Sequence, residues 1–176
     1  MESFELEDLT LWLVRDADEA EMWIDRWAIS YPVVQMSEAS AGQSIGEWQA
    51  GLQTAFERIR GKYVAVVAHG AGAAAFLAWL YQADILTRKK IATIILVPQR
   101  PDIFPDDAEH AFQRVRCPCR AALVVPEHGG VPHGWAQRQA DLWNARLLVS
   151  PHSGSLNGML GGWQWGMKLM QEMLLA

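Results

Sequence analysis

The sequence has few cysteines and no long apolar run, and both absences limit what the chain can be. Its two cysteines, Cys117 and Cys119, are too few for a zinc ribbon and too close together for an ordinary bridging disulfide. We therefore expect two semi-buried thiols. No run reaches the roughly 18 apolar residues that a membrane-spanning helix needs, so we expect no membrane role.

Positive charge is also scarce. The chain of 176 residues has 15 Lys and Arg against 20 Asp and Glu, a formal net charge of -5, which argues against a nucleic acid partner. Residues 1–8 are acidic and lack the basic start of a secretory signal. We expect these eight residues to be a flexible N-terminus, and the protein to be cytoplasmic.

What the sequence does contain is a regular alternation of strand and helix patterns. Short apolar runs, typical of buried strands, end at these six residues: Val14, Met36, Val67, Val97, Val125 and Val149. Helical patterns lie between them, for example over Asp16–Ala28 and Ile45–Arg60. This order predicts one α/β domain over residues 1–176, a three-layer sandwich with about six mostly parallel strands and helices on both faces.

The carboxyl ends of the predicted strands are the expected position of a site. In parallel sheets ligands bind beyond those ends. Four of the five histidines, His69, His128, His133 and His152, follow strand ends. The pattern predicts a cleft at that edge of the sheet.

The tightest turn of the chain, Ala68-His69-Gly70-Ala71-Gly72, fits two motifs. Gly70 to Ala75 matches the dinucleotide fingerprint G-x-G-x-x-A, but this is the third βα unit, and no acidic residue ends the next strand to hold a ribose. We therefore expect no cofactor. The same turn matches a nucleophile elbow, with Gly70 where serine should be.

A metal site is the other alternative at this edge. Glu127, His128, His133 and His152 carry ligating groups, but their spacing matches no helix-face ligand pattern. We expect no metal, and interpret these side chains as polar residues of loops at the rim of the cleft.

Several blocks of residues 10–175 resemble the small serine hydrolases of the YdeN and retinoblastoma-binding-protein-nine type, in the same order and spacing. Those blocks are Trp23–Trp27, Ala68–Gly72, Val131-Pro132, Gly154–Asn157 and Gly161–Gly166. The resemblance implies a minimal α/β-hydrolase fold and an esterase of small acyl substrates.

The residues at the catalytic positions of that family differ here. Gly70 stands at the family's serine, His128 (or Glu127) at its aspartate, and Ser155 at its histidine. The first loop, Arg15–Glu19, is acidic and lacks the glycines that help to form the family's oxyanion hole. The resemblance therefore implies a degenerate triad with no catalytic residues. The candidate cleft residues are His69, Ala71, Glu127, His128, His152, Ser153, Ser155 and Trp163.

Two functions follow as hypotheses. In the first, the old cleft binds a small molecule, or a protein partner docks on a surface rich in the nine tryptophans, with a homodimer as one possible form. In the second, the chain is an active hydrolase with a rearranged Ser–His site that uses His152 with Ser153 or Ser155.

Overall fold

The computed structural model describes residues 8–104 and 109–175, and six parallel strands form one sheet in the order β2-β1-β3-β4-β5-β6. The strands are β1 Leu9–Asp16, β2 Val34–Ala39, β3 Tyr63–His69, β4 Ile91–Val97, β5 Arg120–His128 and β6 Arg146–Ser153. The expected α/β sandwich is confirmed. Every strand pair is parallel, so the sheet is more regular than predicted.

The helices pack on both faces of this sheet. They are α1 Trp23–Ser30, α2 Ile45–Glu57, α3 Ala71–Gln82, α4 Ile85–Lys90, α5 Glu109–Arg114, α6 His133–Trp143 and α7 Gln164–Leu175. The start of α2 is fixed by a capping box, since the Ser44 hydroxyl accepts the Glu47 N–H at 3.1 Å and the Glu47 carboxylate accepts the Ser44 N–H at 3.0 Å. No helix among the described residues is long and apolar enough to cross a bilayer.

The strand order fixes where a site can form. From β1 the chain continues to β2 on one side of the sheet, and from β3 it continues to β4 on the other side. The carboxyl ends of β1 and β3 therefore flank a topological switch point. The loop after β1 and the turn after β3 meet there. The acidic first loop and the elbow are therefore spatial neighbours.

Some element boundaries differ from the sequence predictions. The first helix begins at Trp23 rather than at Asp16, because Asp16 bonds to the start of α3 and Glu19 to the loop after β6 instead of capping α1. The second strand begins at Val34, beyond Pro32. Arg88–Lys90 forms the last turn of α4, a helix that the sequence analysis did not predict. The expected flexible N-terminus falls almost wholly in residues 1–7, outside the described residues.

Most tryptophans are core residues, so few of them are available to the tryptophan-rich docking surface of the first hypothesis. Trp12 packs edge-on against Trp79 in the core on one face of the sheet. Trp23, Trp27 and Trp163 pack together on the other face. Seven of the nine are buried: Trp12, Trp23, Trp27, Trp48, Trp79, Trp143 and Trp163.

A pair of glycine variants tests this packing. A Cβ on Gly166 in α7 would lie 2.2 Å from the Trp163 ring, whereas one on Gly51 in α2 would meet nothing within 4 Å. We expect Gly166→Ala to lower the free energy of unfolding by about 1–3 kcal/mol through overpacking. Gly51→Ala should raise it by about 0.5–1 kcal/mol through helix propensity. Urea unfolding followed by circular dichroism measures both, and a neutral Gly166→Ala would contradict this position of Trp163.

Candidate functional site

The turn between β3 and α3 has the backbone form of a strand-to-helix elbow. Gly70 has φ 58° and ψ -128°, a conformation that side chains disfavour, and its N–H donates to the Val97 carbonyl at 2.9 Å. A Cβ at Gly72 would lie 2.2 Å from the Val14 carbonyl oxygen. Only a chain of very small residues can make this turn so close to β1.

The space at the nucleophile position is filled by the side chain of Asp16. A Cβ built on Gly70 would lie 2.5 Å from the Asp16 Oδ2 atom. That oxygen accepts the Ala71 N–H at 2.9 Å, and Oδ1 accepts the Asp18 N–H at 2.9 Å. In the hydrolase elbow, the N–H of the residue after the nucleophile is an oxyanion donor. Here a buried carboxylate occupies that donor.

Residues 16–19, which we call the acidic strap, are tied across the carboxyl edge of the sheet. The Asp18 carboxylate accepts the Ser40 hydroxyl at 3.0 Å in the loop after β2. The Glu19 carboxylate accepts the amide of Gln99, after β4, and that of Asn157 at 3.1 Å, after β6. The strap thus links the loops of four strands over the elbow.

Arg15 anchors the strap. Its guanidinium lies 3.2 Å from Asp25 and 3.6 Å from Glu38, and it donates to the carbonyls of Glu19 and Ala20 at 3.1 and 2.9 Å. These carbonyls belong to the strap end and to the residue after it. The positive charge partly neutralises the surrounding carboxylates and holds the loop in one conformation.

His69 lies beneath the elbow rather than in an open cleft. Its side chain has no exposed surface, and its Nε2 atom is 3.4 Å from the Ser155 carbonyl oxygen. The ring packs edge-on against Trp23. Burial lowers the pKa of His69, which favours the neutral imidazole, and its Nδ1 atom has no hydrogen-bond partner among the described residues.

The residues at the expected acid and base positions lie on neighbouring segments but do not pair. His128 is exposed at the end of β5, opposite Ser153 in the strand register, and its carbonyl accepts the Gly154 N–H at 2.8 Å. Glu127 is also exposed. Over the described ranges, no hydrogen bond joins the side chains of His128 and Ser155. The Ser155 segment instead contacts His69 through its backbone.

His152 has a partner that the sequence analysis missed. Its Nδ1 atom lies 2.6 Å from the Ser150 hydroxyl oxygen, rather than near Ser153 or Ser155, and the same oxygen accepts the Trp163 N–H at 3.1 Å. Ser150 and His152 are two residues apart on one strand, so their side chains lie on the same face. This spacing was the signal that could have identified the pair. Ser150 and Trp163 have no exposed surface, so the structure places Trp163 in the core and not on a cleft wall.

The remaining nucleophiles lie far from the elbow. Cys117 and Cys119 precede β5, at the amino edge of the sheet, where Cys117 is buried and Cys119 is half-buried. Burial raises the pKa of both thiols to about 12. Both therefore stay protonated at neutral pH and are poor nucleophiles.

Comparison with known proteins identifies a family and similar folds. A protein-family model described as serine hydrolase matches residues 15–172. The carboxylesterase CesB (YbfK) from Bacillus subtilis has a similar fold, with a TM-score of 0.60 and 10% identity over 98% of this chain and 84% of that one. A predicted CIB-like hydrolase from Thermoplasma acidophilum gives a TM-score of 0.67 and 8% identity over 97% and 88%. No curated protein sequence matches the chain.

The buried neutral state of His69 predicts a pH dependence of stability. Because burial lowers its pKa in the folded state, the unfolded chain binds the proton more readily, and stability falls as pH drops through the unfolded value of about 6.5. Urea unfolding between pH 8 and pH 5.5 should show this fall. His69→Gln should flatten the slope and His128→Gln, at an exposed position, should not. An unchanged slope in His69→Gln would contradict the assignment.

The contact between Asp16 and position 70 predicts a coupling between two substitutions. Gly70→Ser should lower the free energy of unfolding by at least about 1–3 kcal/mol, because serine is strained at this φ and its Cβ meets the carboxylate. Asp16→Ala removes that carboxylate, so the double variant should be more stable than the sum of the two single losses by about 0.5–3 kcal/mol. Asp18→Ala, whose side chain faces Ser40, serves as the control and should add independently to Gly70→Ser.

Proposed function

Since the chain belongs to the serine hydrolase family, we propose that it has kept the family's fold, has lost the hydrolase chemistry, and acts by binding a small molecule or a protein partner at the carboxyl edge of its sheet. One observation carries the proposal. The nucleophile position is Gly70, and the Asp16 carboxylate takes both its free space and the N–H of Ala71.

Acyl transfer needs groups that this site does not offer. It requires a nucleophile with an adjacent base, and free N–H donors aimed at the developing oxyanion. Gly70 has no hydroxyl group. The Ala71 N–H is already bonded, and a negative charge beside it repels a second one.

The charge of the strap favours a particular kind of partner. Carboxylates outnumber cations at this edge, where Arg15 lies between Asp25 and Glu38 and Arg100 pairs with Asp102 after β4. The carboxylates of the edge are Asp16, Asp18, Glu19, Glu21, Asp25, Glu38, Asp102 and Glu127. A cationic small molecule or a basic protein surface complements this edge.

The Ser150–His152 contact favours the second candidate, an active hydrolase with a rearranged site. A hydroxyl oxygen 2.6 Å from an imidazole nitrogen is the geometry that activates serine. However, Ser150 is fully buried and its oxygen also holds the Trp163 N–H. An acyl substrate would reach it only after Trp163 moved.

Ester turnover and covalent labelling separate the two candidates. We expect no hydrolysis of p-nitrophenyl acetate above the buffer rate, and no labelling by a fluorophosphonate probe, for the native protein, for Gly70→Ser and for the double variant Asp16→Ala with Gly70→Ser. Labelling mapped by mass spectrometry to Ser150, Ser153 or Ser155, and abolished by alanine at that residue, would establish the enzyme. An active Gly70→Ser protein would overturn the loss of chemistry.

Thermal shift measurements on the same samples test the binding half of the proposal. Cationic compounds should raise the melting temperature more than anionic compounds of similar size, and raised salt should weaken the effect. Asp18→Asn combined with Glu19→Gln should abolish the preference, whereas Asp141→Asn, at a distant exposed carboxylate, should retain it. Equal responses to both charges would contradict the assigned partner.

A further inference from the structure

Cations are concentrated at the amino edge of the sheet, opposite the elbow. Lys or Arg occurs in each of the four segments that lead into β3, β4, β5 and β6. Each segment is counted from the last turn of the preceding helix to the first residue of the strand. These segments hold ten of the fifteen Lys and Arg residues: Arg58, Arg60, Lys62, Arg88, Lys89, Lys90, Arg114, Arg116, Arg120 and Arg146.

Few carboxylates offset this charge. The described carboxylates of the same edge are Asp8, Glu57, Asp84, Asp141 and Glu172. Within the part of the chain that the structure describes, none of the ten cations forms an ion pair. A protein with a net charge of -5 thus presents one strongly basic edge.

The same edge carries most of the exposed aliphatic side chains. Ile85 and Leu86 in α4 are 71% and 75% exposed, beside Arg88–Lys90. Ile29 near the end of α1 is 87% exposed, and Leu175 at the end of α7 is 80% exposed. With Val33 before β2, five of the seven large exposed apolar side chains among the described residues lie here.

A groove opens at this edge between α7 and the sheet. The strand register places Arg146 beside Ala122, so Arg120 and Arg146 project on the same face of the sheet. With Leu169 and Met173 of α7 they line a space of about 730 Å³. Apolar walls beside two guanidinium groups, which outnumber the single lining carboxylate of Glu172, match an amphipathic anion.

Contrary to the expectation of no membrane role, we propose that the amino edge, meaning the ten cations with Ile29, Val33, Ile85, Leu86 and Leu175, is a docking surface for an anionic lipid bilayer. Lys and Arg near such a surface are attracted to the phosphate and carboxylate headgroups, while aliphatic side chains enter the boundary between headgroups and acyl chains. A nucleic acid would be attracted to the cations alone, and the exposed side chains are aliphatic rather than aromatic, so they offer no stacking to its bases.

This surface is independent of the proposed function. The acidic strap lies at the opposite edge of the sheet, so a docked molecule would turn the strap toward the aqueous phase. Variants of one edge leave the other unchanged, and failure of either proposal is distinguishable from failure of the other.

Co-sedimentation with vesicles tests the proposal. We expect the protein to bind vesicles of phosphatidylcholine with 30% phosphatidylserine at 50 mM NaCl, to bind phosphatidylcholine alone at least tenfold more weakly, and to be released by 500 mM NaCl. Lys89→Glu with Lys90→Glu should lower the partition coefficient at least about tenfold. Ile85→Ser with Leu86→Ser should lower it by a similar factor.

Matched controls isolate the surface. Lys168→Glu removes an exposed cation of α7 away from the edge, and Met159→Ser removes an exposed apolar side chain at the opposite edge. Both should bind like the native protein, and thermal melting should show all variants folded. Absence of binding to the anionic vesicles, equal loss in the controls, or tighter binding to single-stranded DNA than to vesicles would overturn the proposal.

Discussion

The hydrogen bond from the Ala71 N–H to the Asp16 carboxylate joins the end of β1 to the start of α3, at the point where the strand order reverses. It satisfies a donor that an isolated helix would leave free, and places a negative charge at the positive end of the α3 dipole. In an active elbow, the same two properties would serve the developing oxyanion. Here the Asp16 carboxylate takes up both the free N–H and the positive end of the helix dipole, and Gly70 is the residue that leaves room for it.

The strap follows from that bond. Once Asp16 is held at the elbow, Asp18 and Glu19 reach the loops after β2, β4 and β6. The Arg15 guanidinium donates to the Glu19 carbonyl and so holds the strap backbone. The edge that would be an open cleft in a hydrolase is thereby bridged. Under the proposed function, stabilisation and loss of chemistry have the same cause, because the Asp16 carboxylate that fixes the strap occupies the nucleophile position.

The parallel sheet also gives the molecule two unlike edges. Because α1, α2, α3, α6 and α7 run back from the carboxyl edge to the amino edge, their N-termini gather at the first edge and their C-termini at the second, whereas α4 follows α3 at the amino edge. Carboxylates such as Glu47 stand at the first and cations such as Arg88 at the second, where each complements the helix dipole. That local preference accounts for part of the segregation. The exposed Ile85 and Leu86 have no such explanation, and it is they that make the basic edge a candidate for lipid contact.

By itself the sequence determined the α/β class, the six strands and the small-residue turn at Gly70, because apolar periodicity and tiny residues at a turn are local properties. It also identified the family. Only the tertiary structure decided that Asp16 fills the elbow, that His152 pairs with Ser150, and which seven of the nine tryptophans are buried. Asp16 and Ala71 are separated by 55 residues, and their contact depends on which strands are neighbours. Sequence spacing does not contain that information.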